Sequence, residues 1–248
     1  MTNSHCIKKC FNKAARTYDQ HGNIQKKVGE RLLTLLHPYF KEINTIIDLG
    51  CGTGFTTEKL ANLYPFYQHF YAVDIADQLL KKATERLTHL TITIEEKNFN
   101  DFHYPHCAFD LVFSNMALHW SGDIKHTFLH IQNQMNKNGL FCFSLPLENT
   151  LQEFNSVKKD FFSLEEIKNY LLSTKFSLLT YHKETILLTF SSIKEALLSL
   201  KLTGTYYTRH RVTSLRGKSY LKELLQSVKI NSPFLLTYEI GYFLVRKL

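Results

Sequence analysis

The chain predicts an α/β fold in which a mostly parallel sheet carries helices on both faces. Three observations predict it. Apolar strand-like runs alternate with helical patterns between residues 45 and 145. A strand, a glycine turn and a helix follow one another around residues 46–55. A second strand then ends on an acidic residue, Asp74, twenty positions beyond the last glycine of that turn.

The elements follow in order. Ile7, Phe11, Ala14 and Tyr18 recur at helical spacing, which predicts an amphipathic helix over 5–18. Gly22 interrupts it, and Ile24, Val28, Leu32 and Leu35 mark a second helix that Pro38 closes. Strands at 45–49 and 69–74 alternate with helices at 55–63 and 76–87. Residues 91–95 suit a third strand and 109–113 a fourth, followed by a helix over 123–136 that Asn138-Gly139 ends. Residues 140–145 form the fifth strand. Ser163 and Glu166 make an S-x-x-E capping box that opens a helix through Leu172. Residues 176–181 and 185–190 are strand-like, 193–202 and 220–228 helical, and 234–245 reads as a long final strand. No repeat or low-complexity linker divides the chain. It is expected to be one domain, with an N-terminal helical lid (1–40), a core (41–146) and a C-terminal part (147–248) that bears a helical insertion at about 192–232.

The bulk numbers narrow the function. At 248 residues the chain buries a full core. No apolar run reaches the ~20 residues that span a bilayer, and the first residues lead into charges rather than an apolar signal. Five cysteines without a C-x-x-C pair point to reduced thiols and a cytoplasmic location. His126 with His130, His103 with His106 and Cys107, and Cys6 with Cys10 all lack a convincing ligand pattern, so no metal is expected. The net charge of +8 is uneven: residues 146–248 hold 15 Lys/Arg against 9 Asp/Glu. Between Glu195 and Glu223 there is no carboxylate, while Lys201, Arg209, Arg211, Arg216, Lys218 and Lys222 crowd that window. Such a cluster is either a solvated face or a surface for an acidic partner.

The chemistry concentrates at Ile46-Ile-Asp48-Leu-Gly50-Cys51-Gly52-Thr-Gly54. Glycines at every second position let the backbone turn sharply and lie flat against a ligand. The spacing is not the G-x-G-x-x-G of dinucleotide sites, because Phe55 stands at the third required position. Asp74 lies where a carboxylate accepts from both hydroxyls of an adenosine ribose. Asn98 offers an amide oxygen to an adenine amino group, with Phe99 to pack on the ring.

The D-x-G-x-G-x-G run resembles the first motif of class I S-adenosylmethionine-dependent methyltransferases. More specific segments point to one family within them. Phe11-Asn-Lys-Ala-Ala-Arg-Thr-Tyr18-Asp-Gln-His21, with Gln25 beyond, resembles the opening of the malonyl-acyl-carrier-protein O-methyltransferases of biotin synthesis, the BioC family. Ser114-Asn115-Met-Ala-Leu-His119-Trp120, Leu200-Lys201-Leu-Thr-Gly204 and Leu236-Thr-Tyr238 resemble three further segments of that family. The resemblance covers nearly the whole chain. It implies a Rossmann-like, seven-stranded sheet and S-adenosylmethionine held by Gln25, Asp48, Gly50, Cys51, Gly52, Gly54, Asp74, Ile75, Asn98, Phe99 and Asn115. It also implies a methyl ester formed on the malonyl carboxylate of an acyl carrier protein.

Methyl transfer to a carboxylate needs no general base, since that group is ionised at neutral pH. Tyr18 and His21 are expected to close over the sulfonium, and His119 and Trp120 to line the acceptor side. Arg209 or Lys201 would orient the carboxylate, and Arg209, Arg211, Arg216, Lys218 and Lys222 would steer the acidic carrier. The residues alone leave two other readings open: a class I methyltransferase acting on RNA or a small molecule, and a non-catalytic binder of the methyl donor.

Overall fold

A computed structural model describes residues 4–39, 43–105, 107–154, 161–205 and 233–248. Three helices lead, α1 (Ser4–Ala14), α2 (Tyr18–His21) and α3 (Asn23–Thr34). The alternating part runs β1 (Thr45–Leu49), α4 (Phe55–Leu63), β2 (His69–Asp74), α5 (Asp77–Arg86), β3 (Thr93–Glu96) and β4 (Phe109–Asn115). It continues through α6 (Ile124–Asn133), β5 (Met135–Pro146), α7 (Leu164–Ser173), β6 (Phe176–Phe190), α8 (Ile193–Leu202) and β7 (Phe234–Lys247). The sheet order is β3-β2-β1-β4-β5-β7-β6. All pairings are parallel except those of β7, which runs antiparallel to both neighbours.

Alternation along each strand divides the core in two. Ile46, Leu111, Phe113, Cys142, Tyr242 and Leu244 face α3, α4 and α8. Ile47, Val112, Phe141, Phe143, Phe243 and Val245 face α6 and α7, with aromatic rings dominating. Phe143 stacks on Phe243 at 4.9 Å and 14° across the β5–β7 boundary. The strands are apolar on both faces because both are covered.

The structure corrects four element boundaries. The predicted helix over 5–18 ends at Ala14 and resumes at Tyr18. Thr17 breaks it by donating its hydroxyl to Leu202 O at 2.9 Å, tying this turn to the end of α8. The helix expected to reach residue 136 stops at Asn133, and Met135 already pairs with Phe109. Asn138-Gly139 therefore belongs to an irregularity inside β5, where the register jumps between Phe109 and Leu111, rather than to a helix end. Residues 176–181 and 185–190 are one continuous β6, paired with β7 along its whole length. His182, Lys183 and Glu184 do not break it, because on an edge strand polar side chains reach water or cross-strand partners. Lys183 pairs with Glu239 at 3.1 Å, and Glu184 accepts from the Tyr242 hydroxyl at 3.0 Å. Merging those two segments leaves seven strands among the described residues. The helix expected at 220–228 lies outside the described residues.

The strand order reverses direction between β1 and β4. In an open α/β sheet, that switch opens a crevice at the carboxyl ends of the strands.

Candidate functional site

The loop after β1 forms the floor of that crevice. Gly50 and Cys51 donate their backbone N–H groups to Val73 O at 2.8 and 3.0 Å, which bends the chain back over β2. Gly50 has φ +77°, and a Cβ there would stand 2.4 Å from that of Ala117. Gly52 has φ +58°, and a Cβ there would meet nothing within 4 Å. The two glycines therefore serve different ends. Gly50 lets the loop after β4 pack down, while Gly52 leaves open space above the loop. Gly54 then begins α4.

Two adjoining cavities occupy that space. One, of about 610 Å³, is lined by Gly50, Gly52, Asp74, Ile75, Asn98 and Phe99 below and beside it, and by Ile7, Phe11, Tyr18 and Trp120 above. The other, of about 440 Å³, is lined by Tyr18, Gln25, Lys26, Asp48, Cys51, Gly52, Thr53 and Asn115 among others. Tyr18, Gly50, Gly52 and Asn115 border both. The lining suits a ligand of nucleoside class with a polar extension: Ile75 and Phe99 are apolar, while Asp48, Asp74, Asn98 and Asn115 offer polar groups.

The acidic residues are held in defined states. Asp74 accepts from Gly52 N at 2.9 Å and from Ala76 N at 2.8 Å. Burial raises its pKa, and the backbone donors from Ala76, Gly52 and Ile75 oppose that rise. Asp48 accepts from the Thr57 hydroxyl at 2.7 Å. Burial pushes it up to about 7, the Thr57 bond opposes this, and the charge of Asp74 adds to it. Burial also drives the Cys51 thiol well above its ordinary value, so it lines the wall as an apolar group. The Tyr18 hydroxyl is raised by burial and then by the charges of Asp74 and Asp19, and stays protonated.

The expected cofactor residues Gln25, Asp48, Gly50, Cys51, Gly52, Asp74, Ile75, Asn98, Phe99 and Asn115 all border the two cavities. Gly54 stands behind them at the head of α4, its hydrogens turned toward Ala83 and Leu87 of the α5 end. The Asn98 amide oxygen already accepts from the backbone N–H and side chain of Asn100, at 3.0 and 2.9 Å. Asn115 braces the site: its amide donates to Gln25 O at 2.9 Å and its oxygen accepts from Ser144 at 2.8 Å. Tyr18 and Trp120 reach the cavity wall, but His21 and His119 do not line it. His21 is exposed at the end of α2. His119 is buried, its ring centroid 4.8 Å from Trp120 and 6.0 Å from Phe161. The loop after β4 ends in a 3-10 turn, so Asn115, Met116, Ala117 and Trp120 face the crevice while Leu118 and His119 are buried behind them. Lys201 is exposed in the last turn of α8, and Arg209, Arg211, Arg216, Lys218 and Lys222 lie outside the described residues.

Sequence reasoning missed the residues that hold the N-terminal helices over the crevice. Asp19 accepts from Thr53 at 2.6 Å and from Arg86 Nη2 at 2.8 Å, and Arg86 also donates to Thr53 O. Burial opposes ionisation of Asp19, but the Thr53 and Arg86 bonds and the charges of Arg86 and Lys26 hold its carboxyl below the usual range. Asn12 donates to Asp77 at 2.7 Å and accepts from Gln78 N at 3.1 Å. Lys8 pairs with Asp77 and Glu96. The available signal was the apolar stripe Ile7-Phe11-Ala14-Tyr18, whose larger members turn out to face the cavity.

Residues 41–212 match a family model described as a methyltransferase domain. The chain is 32% identical over 243 residues to malonyl-[acyl-carrier protein] O-methyltransferase 2 of Coxiella burnetii, covering 98% of this chain and 96% of that protein. A malonyl-[acyl-carrier protein] O-methyltransferase of Legionella pneumophila is 27% identical over 257 residues, with 98% and 90% covered. Among solved structures, an S-adenosylmethionine-dependent methyltransferase from Clostridium acetobutylicum shares the fold. It superposes with a TM-score of 0.61 at 14% identity, over 96% of this chain and 99% of that one.

Proposed function

Because the chain belongs to the family of malonyl-[acyl-carrier protein] O-methyltransferases, we propose that it moves a methyl group from S-adenosylmethionine to the free carboxylate of malonyl-acyl carrier protein. The malonyl methyl ester so formed would feed biotin synthesis. One observation carries this reading: a glycine-floored cavity at the carboxyl ends of β1, β2 and β4 is roofed by Ile7, Phe11 and Tyr18.

The residues present fit the methyl donor. Gly52 leaves room that any side chain would fill. Asp74 would hold the ribose, Phe99 and Ile75 would flank the base, and Gln25, Asp48, Cys51 and Asn115 would surround the amino-acid end. When bound, the donor supplies an electrophilic methyl on a sulfonium and departs as the thioether after a carboxylate oxygen has taken that methyl.

The chain's own part is alignment and exclusion of water. Tyr18 stays protonated and serves as wall and hydrogen-bond donor rather than as a base. Phe11 meets Trp120 edge-on at 5.6 Å, making an apolar wall that keeps water from the nucleophile. An ionised malonyl carboxylate reacts without proton removal, so a site with no catalytic dyad is sufficient.

Among the described residues no helix is long and apolar enough to cross a membrane. The reading assigns no role to a metal, a membrane or nucleic acid, and expects a cytoplasmic enzyme. The cations from Lys201 to Lys222 would attract the acidic carrier, so raising salt should depress use of malonyl-carrier protein far more than use of malonyl-CoA. The test is methyl uptake from labelled S-adenosylmethionine onto malonyl-carrier protein, with acetyl-carrier protein as control. A base-labile methyl ester on the malonyl thioester alone is expected, with EDTA making no difference. Tight binding of S-adenosylhomocysteine without methylation of any malonyl thioester would remove the enzymatic reading.

A further inference from the structure

The outer face of the first helix carries a charge pattern that the cofactor cavity does not use. Residues 4–18 contain Lys8, Lys9, Lys13 and Arg16 and no carboxylate; the first acidic residue of the chain is Asp19. Two of these groups are directed inward. Lys8 is engaged with Asp77 and Glu96, and Asp19 is engaged with Arg86 and Thr53. Lys9 and Lys13 remain on the face of α1 opposite the stripe of Ile7, Phe11 and Ala14, and Arg16 stands in the turn that follows the helix. All three are exposed, and among the described residues none forms an ion pair.

The neighbouring end of α8 extends this face. Thr17, which follows Arg16, donates to Leu202 O at 2.9 Å, so Arg16 and the exposed Lys201, which forms no ion pair among the described residues, flank one junction. A Cβ on Gly204 would stand 2.9 Å from the Phe11 ring and 3.3 Å from Cys10 O, so α8 ends directly against α1. The only carboxylate on α8, Glu195, sits in its first turn, bonded to Ser191. Basic residues therefore stand on α1, in the turn after it and in the last turn of α8, which meet at this junction. Lys9 and Lys13 lie on the back of the helix whose Ile7 and Phe11 roof the cavity.

We propose that this face, with Lys9, Lys13, Arg16 and Lys201, is a docking surface for the acyl carrier protein. The inference rests on the reading given above and adds a surface that it did not include: the N-terminal helix itself, apart from the cationic segment beyond Gly204. Charge complementarity identifies the occupant. A carrier is acidic along the helix beside its prosthetic arm, and the cavity that the arm has to reach is lined by Ile7 and Phe11 on the opposite face of α1. A free thioester such as malonyl-CoA reaches the same cavity without covering the back of α1.

The test compares the full chain with the triple variant Lys9→Glu, Lys13→Glu, Arg16→Glu. Reversing rim charges acts mainly on association. The variant is therefore expected to lose about tenfold or more in kcat/KM with malonyl-carrier protein, and to stay within about twofold of the parent with malonyl-CoA. S-adenosylhomocysteine affinity and melting temperature should be unchanged. Equal losses on both thioesters, or none on either, would overturn the proposal. The single variants Lys13→Glu and Arg16→Glu, each expected to lose about threefold on the carrier substrate, serve if the triple variant folds poorly.

Direct titration of the carrier onto the chain loaded with S-adenosylhomocysteine separates this proposal from the one it rests on. If the parent methylates neither thioester but its carrier binding still disappears in the variant, the surface stands and the enzymatic reading falls. If the variant instead loses retention on immobilised RNA and keeps carrier turnover, the face belongs to nucleic acid and the proposal fails.

Discussion

Gly50 and Gly52 stand two residues apart in the same loop, both with positive φ, yet their surroundings predict opposite phenotypes. Gly50→Ala drives a methyl group into Ala117, so it should destabilise the fold by about 2–3 kcal/mol, seen as a lower melting temperature. Gly52→Ala meets no neighbour and should lower stability by only about 1–2 kcal/mol. Its methyl group enters the ligand space, so calorimetry should show S-adenosylhomocysteine affinity reduced more than about tenfold. Asp48 yields a pH signature. Folded, its carboxyl is pushed up to about 7, against about 4 for an unfolded carboxyl. Between those values the folded chain retains a proton that the unfolded chain has released, so stability falls as pH rises and levels off above about 7. Asp48→Asn abolishes this dependence. The melting temperature of the variant relative to the parent should rise by several degrees between about pH 5 and about pH 8, and a constant difference would refute the assignment. The glycine loop, Asp74 and Asn98-Phe99 were legible in the sequence because each follows a strand at a fixed offset. Asp19 was not. Its partner Arg86 lies 67 residues away, and no local pattern announces the pair.

At the scale of elements, the short α2 is held by a clasp rather than by helix propensity. Four residues do not sustain a helix unaided. Asp19 bound to Arg86 and Thr53 keeps Tyr18 over the glycine loop. Arg86→Met preserves the length of the side chain and removes the clasp. We expect S-adenosylhomocysteine to dissociate about tenfold faster in stopped-flow measurements. Stability should drop by only about 1 kcal/mol, because the pair is partly exposed to solvent. An unchanged off-rate would mean that α2 does not retain the ligand. Helical periodicity over 5–18 missed the break at Thr17, since the hydroxyl bond to Leu202 that ends α1 reaches across the molecule. The strand-like segments 176–181 and 185–190 were read as separate for the same reason: the cross-strand partners of 183 and 184 on β7 are remote in sequence.

For the whole molecule, the two faces of the sheet are not equivalent. The face toward α6 and α7 is a continuous aromatic layer in which Phe128, Phe141, Phe143 and Phe243 interlock. Phe243→Ala should cost about 3–5 kcal/mol, measurable by chemical denaturation. That the first five strands run parallel was readable from their alternation with helices; their order in the sheet was not. Nor was the place of the last strand, because no feature of residues 234–247 distinguishes an edge from an interior position. In the sheet, β7 lies between β5 and β6. The later-made β7 is thus inserted between two strands that precede it in the chain. Until it emerges, the nascent chain presents two long unpaired borders, those of β5 and the fifteen-residue β6, with their apolar faces uncovered. This part of the sheet closes only when β7 enters, because that one strand satisfies both borders at once.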